Sequence, residues 1–66
     1  MATPKADTCI LLVTYNEKPN LERLLPVLLE LVPQACIIVV DDNSPDGSPD
    51  LLRGMAAGNP RVVPVI

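Results

Sequence analysis

The 66-residue chain has no histidine, tryptophan or phenylalanine, and its only aromatic residue is Tyr15. Without histidine it lacks the usual general base of neutral pH and the ligand of most zinc sites. With a single aromatic side chain it has no large hydrophobic anchors. Cysteine is sparse too. Cys9 and Cys36 are too few for a disulfide scaffold and form no CxxC pair for zinc or redox work. Each lies inside an apolar run, which predicts a buried free thiol. Positive charge is scattered over Lys5, Lys18, Arg23, Arg53 and Arg61 in a chain of net charge −3. Backbone phosphates attract clustered cations, so nucleic acid is not an expected partner.

Long hydrophobic runs are missing as well. The leucine-rich segment from Leu24 to Val32 is interrupted by Pro26 and Glu30 and falls far short of a membrane span. The first eight residues are polar and the next apolar run is short, which does not make a secretory signal. The expectation is a cytoplasmic chain, with peripheral association at the cytoplasmic face of a membrane left open. No GxGxxG follows the first apolar run and no GxxxxGK[ST] occurs, which removes the dinucleotide first turn and the ordinary P-loop.

What is present is a compact α/β pattern. Hydrophobic residues make up 48% of the chain with no low-complexity tract, which argues against disorder. A chain of this length is one small domain at most, burying only about 60% of its unfolded surface. Residues 1–8 read as a loose tail. Cys9 to Val13 reads as a buried strand that runs into the loop Thr14-Tyr15-Asn16-Glu17-Lys18-Pro19-Asn20. Asn20 is a candidate helix cap, and Leu21, Leu24, Leu25, Leu28 and Val32 follow the 3.6-residue period of one helix face. Pro26 is expected to kink or shorten that helix, and Pro33 to end it. Ala35 to Val40 is apolar at every position, which predicts a strand covered on both faces.

After the turn formers Asn43 to Gly47, Ser48-Pro49-Asp50 reads as a helix start with a serine cap. Leu51, Leu52 and Met55 supply its apolar face, and Gly58, Asn59 and Pro60 stop it. Arg61 to Ile66 is a third strand, at an edge because of Pro64. Right-handed crossovers make the strands parallel, so the two strand-end loops open on one edge. Three strands and two helices leave apolar surface or strand edges uncovered. The expected reading is therefore the first third or so of a larger α/β domain, residues 9–66 being its nucleotide-binding part.

In parallel sheets, ligands bind beyond the carboxyl ends of the strands, which is where Asp41 and Asp42 stand. Adjacent acids there can hold a divalent cation or accept hydrogen bonds from ribose hydroxyls or a base N–H. Alternation along an extended backbone sends the two in different directions, one to loop amides and one to ligand. The plain alternative is a pair of solvated turn acids. Tyr15 can stack on a base or pack as a local lid. Glu17 can cap local amides or contact ribose. Asn16, Asp46 and Asp50 have local explanations in turns and a helix start.

Val13-Thr14-Tyr15-Asn16-Glu17 with Asn20-Leu21, and Val39-Val40-Asp41-Asp42-Asn43-Ser44-Pro45-Asp46-Gly47, resemble the start of family 2 glycosyltransferases. The likeness is greatest to dolichol- or polyprenol-phosphate mannosyltransferases and runs from about Cys9 to Leu52. It implies the βαβαβ beginning of a Rossmann-like GT-A fold, with an incomplete parallel sheet. It also implies a donor site for GDP-mannose or another nucleotide sugar and a polyprenyl or dolichyl phosphate acceptor. Carried across by position, Val13, Tyr15 and Glu17 match the family's first nucleotide-contacting cluster, and Val40 and Asp42 match its second. Asp42 would accept from base or ribose, and Asp41 and Asp46 would hold the loop. Val13 stands where the family usually has proline, so the loop loses a locked φ.

The family's Mg2+ or Mn2+ is held by a D-x-D motif beyond its third strand, and no acid pair of that form occurs here. No catalytic or metal residue is assigned, and the expectation is a nucleotide half-site inactive alone. Two alternatives remain: a truncated product without function, or a receiver-like module with an acidic pocket. The second lacks an acid at the end of its third strand.

Overall fold

The computed structural model describes residues 8–66. The expected loose tail lies outside the described residues except for Thr8, which opens the first strand. The elements alternate as β1 (Thr8–Thr14), α1 (Lys18–Leu31), β2 (Ala35–Asp41), α2 (Ser48–Gly58) and β3 (Val62–Val65). The strands form one parallel sheet in the order β1-β2-β3. This is the α/β class that the sequence predicts, with the topology of an incomplete Rossmann-like GT-A sheet. The register pairs Thr8 with Ala35 and ends on Thr14 with Asp41, so β1 and β2 finish level. Pro64 lies in an edge strand, where its missing N–H is tolerated.

Both helices pack on one face of the sheet. Leu21 and Leu25 of α1 and Leu52 of α2 meet Ile37 and Val39 of β2 in a single buried cluster. Leu28, Leu29, Leu51 and Met55 pack around its margin. Along β2 every second residue, from Ala35 to Asp41, is buried, and the residues between are half-buried. Cover on both faces, expected from the unbroken apolar run, is therefore not what is found among the described residues. Leu11 and Val13 on the open face are 63% and 76% exposed. Leu24, assigned to the apolar stripe of α1, is 40% exposed.

Local signals explain the helix boundaries, with three corrections. α1 begins at Lys18 rather than after Asn20, and Asn20 only reaches back to Glu17 Oε1 at 3.3 Å. α1 also runs through Pro26 to Leu31 without ending. Pro26 lacks the N–H that would bond to the Glu22 carbonyl one turn back, and both residues are exposed. Ser48 is the first helical residue of α2 rather than its cap, and Gly47 precedes it with φ +93°. That left-handed turn suits glycine, and a Cβ there would stand 3.3 Å from Lys18 Nζ.

Two long-range ties hold the end of the sheet away from the strand-end loops. Cys9 and Cys36 occupy paired positions with Cα atoms 4.7 Å apart and are joined by a disulfide. This replaces the expected pair of buried free thiols, and Cys9 itself is exposed. Cytosolic thiols are ordinarily kept reduced, so the bond and the expected cytoplasmic setting point in opposite directions. Arg61, just before β3, donates to the carbonyls of Ala35 (2.9 Å), Leu29 (3.0 Å) and Val32. It thereby caps the carboxyl end of α1, whose last turn has no basic residue of its own.

Candidate functional site

Because β1 and β2 are parallel and end level, their outgoing loops share one edge. Polar groups buried beneath the loops lock them together. Asp41 is 1% exposed and accepts three hydrogen bonds. Ser44 N–H donates to Oδ2 at 2.8 Å, and Ser44 Oγ (2.7 Å) and Thr14 Oγ1 (3.1 Å) donate to Oδ1. Burial pushes the Asp41 carboxyl up, but the Ser44 amide, the Ser44 hydroxyl and the Thr14 hydroxyl outweigh it and hold it below the ordinary carboxylate value. Ser44 Oγ also accepts from the Asn16 amide at 2.9 Å, linking the two loops.

A second carboxylate braces the same edge. Asp46 accepts from Ser48 Oγ (2.6 Å) and Ser48 N–H (3.0 Å) through Oδ1, and from Lys18 N–H (2.9 Å) through Oδ2. Lys18 and Ser48 are the first residues of α1 and α2, so one acid satisfies orphan amides at two helix N-termini. The Ser48 hydroxyl and the Lys18 amide, in that order, lower the Asp46 carboxyl. Asn16 and Asn43, one in each loop, take the left-handed conformation at φ 54° and 50°, which asparagine tolerates better than most residues.

The residues named from the sequence lie around this brace. Val13 and Val40 are register partners on the open face of the sheet, one rung before the strands end. Tyr15 and Asp42 continue the alternation one residue past Thr14 and Asp41, and both are exposed. The Asp42 amide still bonds to the Thr14 carbonyl at 3.4 Å, so β1 and β2 remain side by side there. Among the described residues no hydrogen bond reaches the Asp42 carboxylate. Val13, Tyr15, Val40 and Asp42 thus form one strip at the carboxyl edge. Glu17 stands apart at the N-cap of α1, half-buried, with its side chain accepting from Asn20.

Sequence reasoning gave Ser44 only a turn role and did not find the two-helix cap at Asp46. The Ser-Pro-Asp-Gly-Ser run was a sufficient signal for local turns, but the Lys18 and Asn16 amides are contributed from 28 residues away. A concavity at the other end of the sheet, lined by Thr8, Val32, Pro33, Gln34 and Ala35, contains no ionisable side chain.

The donor set does not fit a divalent cation. Asp41 and Asp46 each accept three protein donors, and no group of three or more His, Cys, Asp or Glu is gathered among the described residues. No helix among them is long and apolar enough to cross a membrane.

Curated relatives match the chain over most of its length. It is 38% identical to the polyprenol monophosphomannose synthase of Mycolicibacterium smegmatis over 63 residues, 96% of this chain and 24% of that protein. It is 45% identical to the undecaprenyl-phosphate mannosyltransferase of Micrococcus luteus over 49 residues, 74% of this chain and 20% of that protein. The chain therefore spans about a quarter of the length of these relatives. No solved structure matches it. The model of glycosyl transferase family 2 matches residues 9–65, nearly all of the described sheet and helices, and the chain belongs to that family.

Proposed function

We propose that the carboxyl edge of β1 and β2 is a half-site for the nucleotide of a sugar donor, GDP-mannose by analogy with the mannosyltransferase relatives. The observation that carries the reading is the division of labour between neighbouring acids. Asp41 is spent on loop amides and hydroxyls, whereas Asp42 is exposed at the same edge without a protein donor. An acid so placed accepts from a ribose hydroxyl or a base N–H. Tyr15 offers a π-face beside it, Val13 and Val40 an apolar floor, and Glu17 a second acceptor at the start of α1.

The property assigned to these residues is retention of the nucleotide, not transfer of the sugar. The cation that stabilises a diphosphate leaving group in metal-dependent transfer finds no ligand set among the described residues. In the longer relatives the acceptor, a polyprenyl phosphate by their names, is the partner that the same reading implies. Isothermal titration of GDP and GDP-mannose tests the half-site on protein whose fold is verified by circular dichroism. Wild type is expected to bind, and Asp42→Ala to lose at least tenfold in affinity, as for a charged hydrogen bond removed. Equal heats from folded wild type and Asp42→Ala would overturn the assignment.

A further inference from the structure

We infer that Ser44 is a positioning residue for the nucleotide half-site, setting the Tyr15–Glu17 loop against Asp42 through its bond to the Asn16 amide. The inference rests on the half-site reading above. Ser44 is buried, 5% exposed, and its hydroxyl and amide are bonded to protein groups. Its hydroxyl has one proton, given to Asp41 Oδ1 at 2.7 Å, and its oxygen accepts from Asn16 N–H at 2.9 Å. Its own amide is fixed on Asp41 Oδ2 at 2.8 Å. Asp41 in turn holds Thr14, the last residue of β1. Because a carboxylate only accepts, the serine proton goes to Asp41 and its oxygen is left to accept from the Asn16 amide.

The consequence follows from where Asn16 sits. It is the residue between Tyr15 and Glu17, and its φ of 54° turns the chain from the end of β1 towards α1. A left-handed asparagine in a polar loop persists when surrounding bonds determine it. Within this loop, the Asn16 amide bonds to Ser44 and the Lys18 amide to Asp46, so the residues flanking Glu17 are both anchored on the second loop. Loss of the serine oxygen frees the anchor nearest Tyr15 while leaving Asp42 on its own strand end. The half-site would then have its acceptor but not its stacking ring in place.

The test compares Ser44→Ala with Ser44→Thr, which keeps the oxygen, by GDP titration and amide hydrogen exchange. Ser44→Ala removes the oxygen that joins the Asn16 amide to Asp41 and is expected to weaken GDP about tenfold, and Ser44→Thr to recover most of it. A double-mutant cycle supplies the readout that mere destabilisation would not move. Tyr15→Ala should weaken GDP in the wild-type background and have almost no further effect in Ser44→Ala. Additive losses in that cycle, or unchanged GDP affinity in folded Ser44→Ala, would overturn the positioning role while leaving the half-site intact. Failure of wild type to bind GDP would remove both. If Ser44→Ala does not fold, exchange in the wild type decides. An Asn16 amide protected like its strand neighbours supports the tie, and one exchanging at the unfolded rate contradicts it.

Discussion

Two shells of polar residues meet at the same edge of the sheet and differ in how their bonds are used. The inner shell, Thr14, Asp41, Ser44, Asp46 and Ser48, directs its donors and acceptors to other protein groups. The outer strip, Val13, Tyr15, Val40 and Asp42, continues the open face of the same strand ends, and its polar members are exposed. Asp41 and Asp42 are chemically identical and adjacent, yet strand alternation places one in each shell. The difference teaches that an acidic motif at a strand end divides into a part that shapes the loop and a part left for ligand. Burial and bond count, not residue type, make the division.

The largest expected effect breaks the pair apart. Asp41→Ala leaves two hydroxyls and an amide without their acceptor in a buried position, at about 3 kcal/mol or more. In a chain this short that removes most of the net stability. Asp42→Ala should change stability by less than about 0.5 kcal/mol, as for exposed positions generally. Thermal melts of the two variants followed by circular dichroism check this, and equal losses would erase the distinction between shells.

A smaller effect sharpens the comparison by moving away from the site. Arg61→Ala removes three charge-assisted bonds to carbonyls around the end of α1, at about 2 kcal/mol. Because Arg61 braces the opposite end of the sheet, its loss should lower the melting temperature without altering GDP affinity of the protein that remains folded. An equal loss of affinity would mean that bracing anywhere in the sheet controls the edge.

Acid supplies the gentlest test. The Asp41 and Asp46 carboxyls are both held below their unfolded value. Their contribution is therefore complete above that unfolded value and is lost as pH falls through the folded-state pKa. The melting temperature should be level between about pH 7 and 5 and decline below about pH 4. Asp41→Asn should flatten this profile relative to wild type, and an unchanged profile would contradict the assignment of the inner shell.

Much of this edge was legible in the sequence because its determinants are local. The apolar runs at Cys9 and Ala35, the leucine period after Lys18 and the turn residues from Asn43 to Gly47 give the element order and the parallel sheet. The expectation that Asp41 and Asp46 hold the loop agrees with the bonds found. What escaped is non-local. α1 starts before Asn20 because Asp46, from the other loop, takes up the Lys18 amide. The fate of the cysteines depends on register: each is the second residue of its strand, and only level parallel pairing brings them opposite each other. Arg61 looked like one of several scattered cations until folding brought three carbonyls to its guanidinium. The apolar run of β2 predicts cover on both faces, and among the described residues helices cover one of them.

The central claim is that two loops distant in sequence grip one nucleotide together. Titration of GDP into 15N-labelled protein, read amide by amide, tests it most directly. The account predicts that the amides of Tyr15 to Glu17 and of Val40 to Asp42 shift together along one saturation curve, while those near Arg61 do not move. Shifts in one loop alone, two different curves, or shifts centred on Val32 to Ala35 at the far end of the sheet would contradict it.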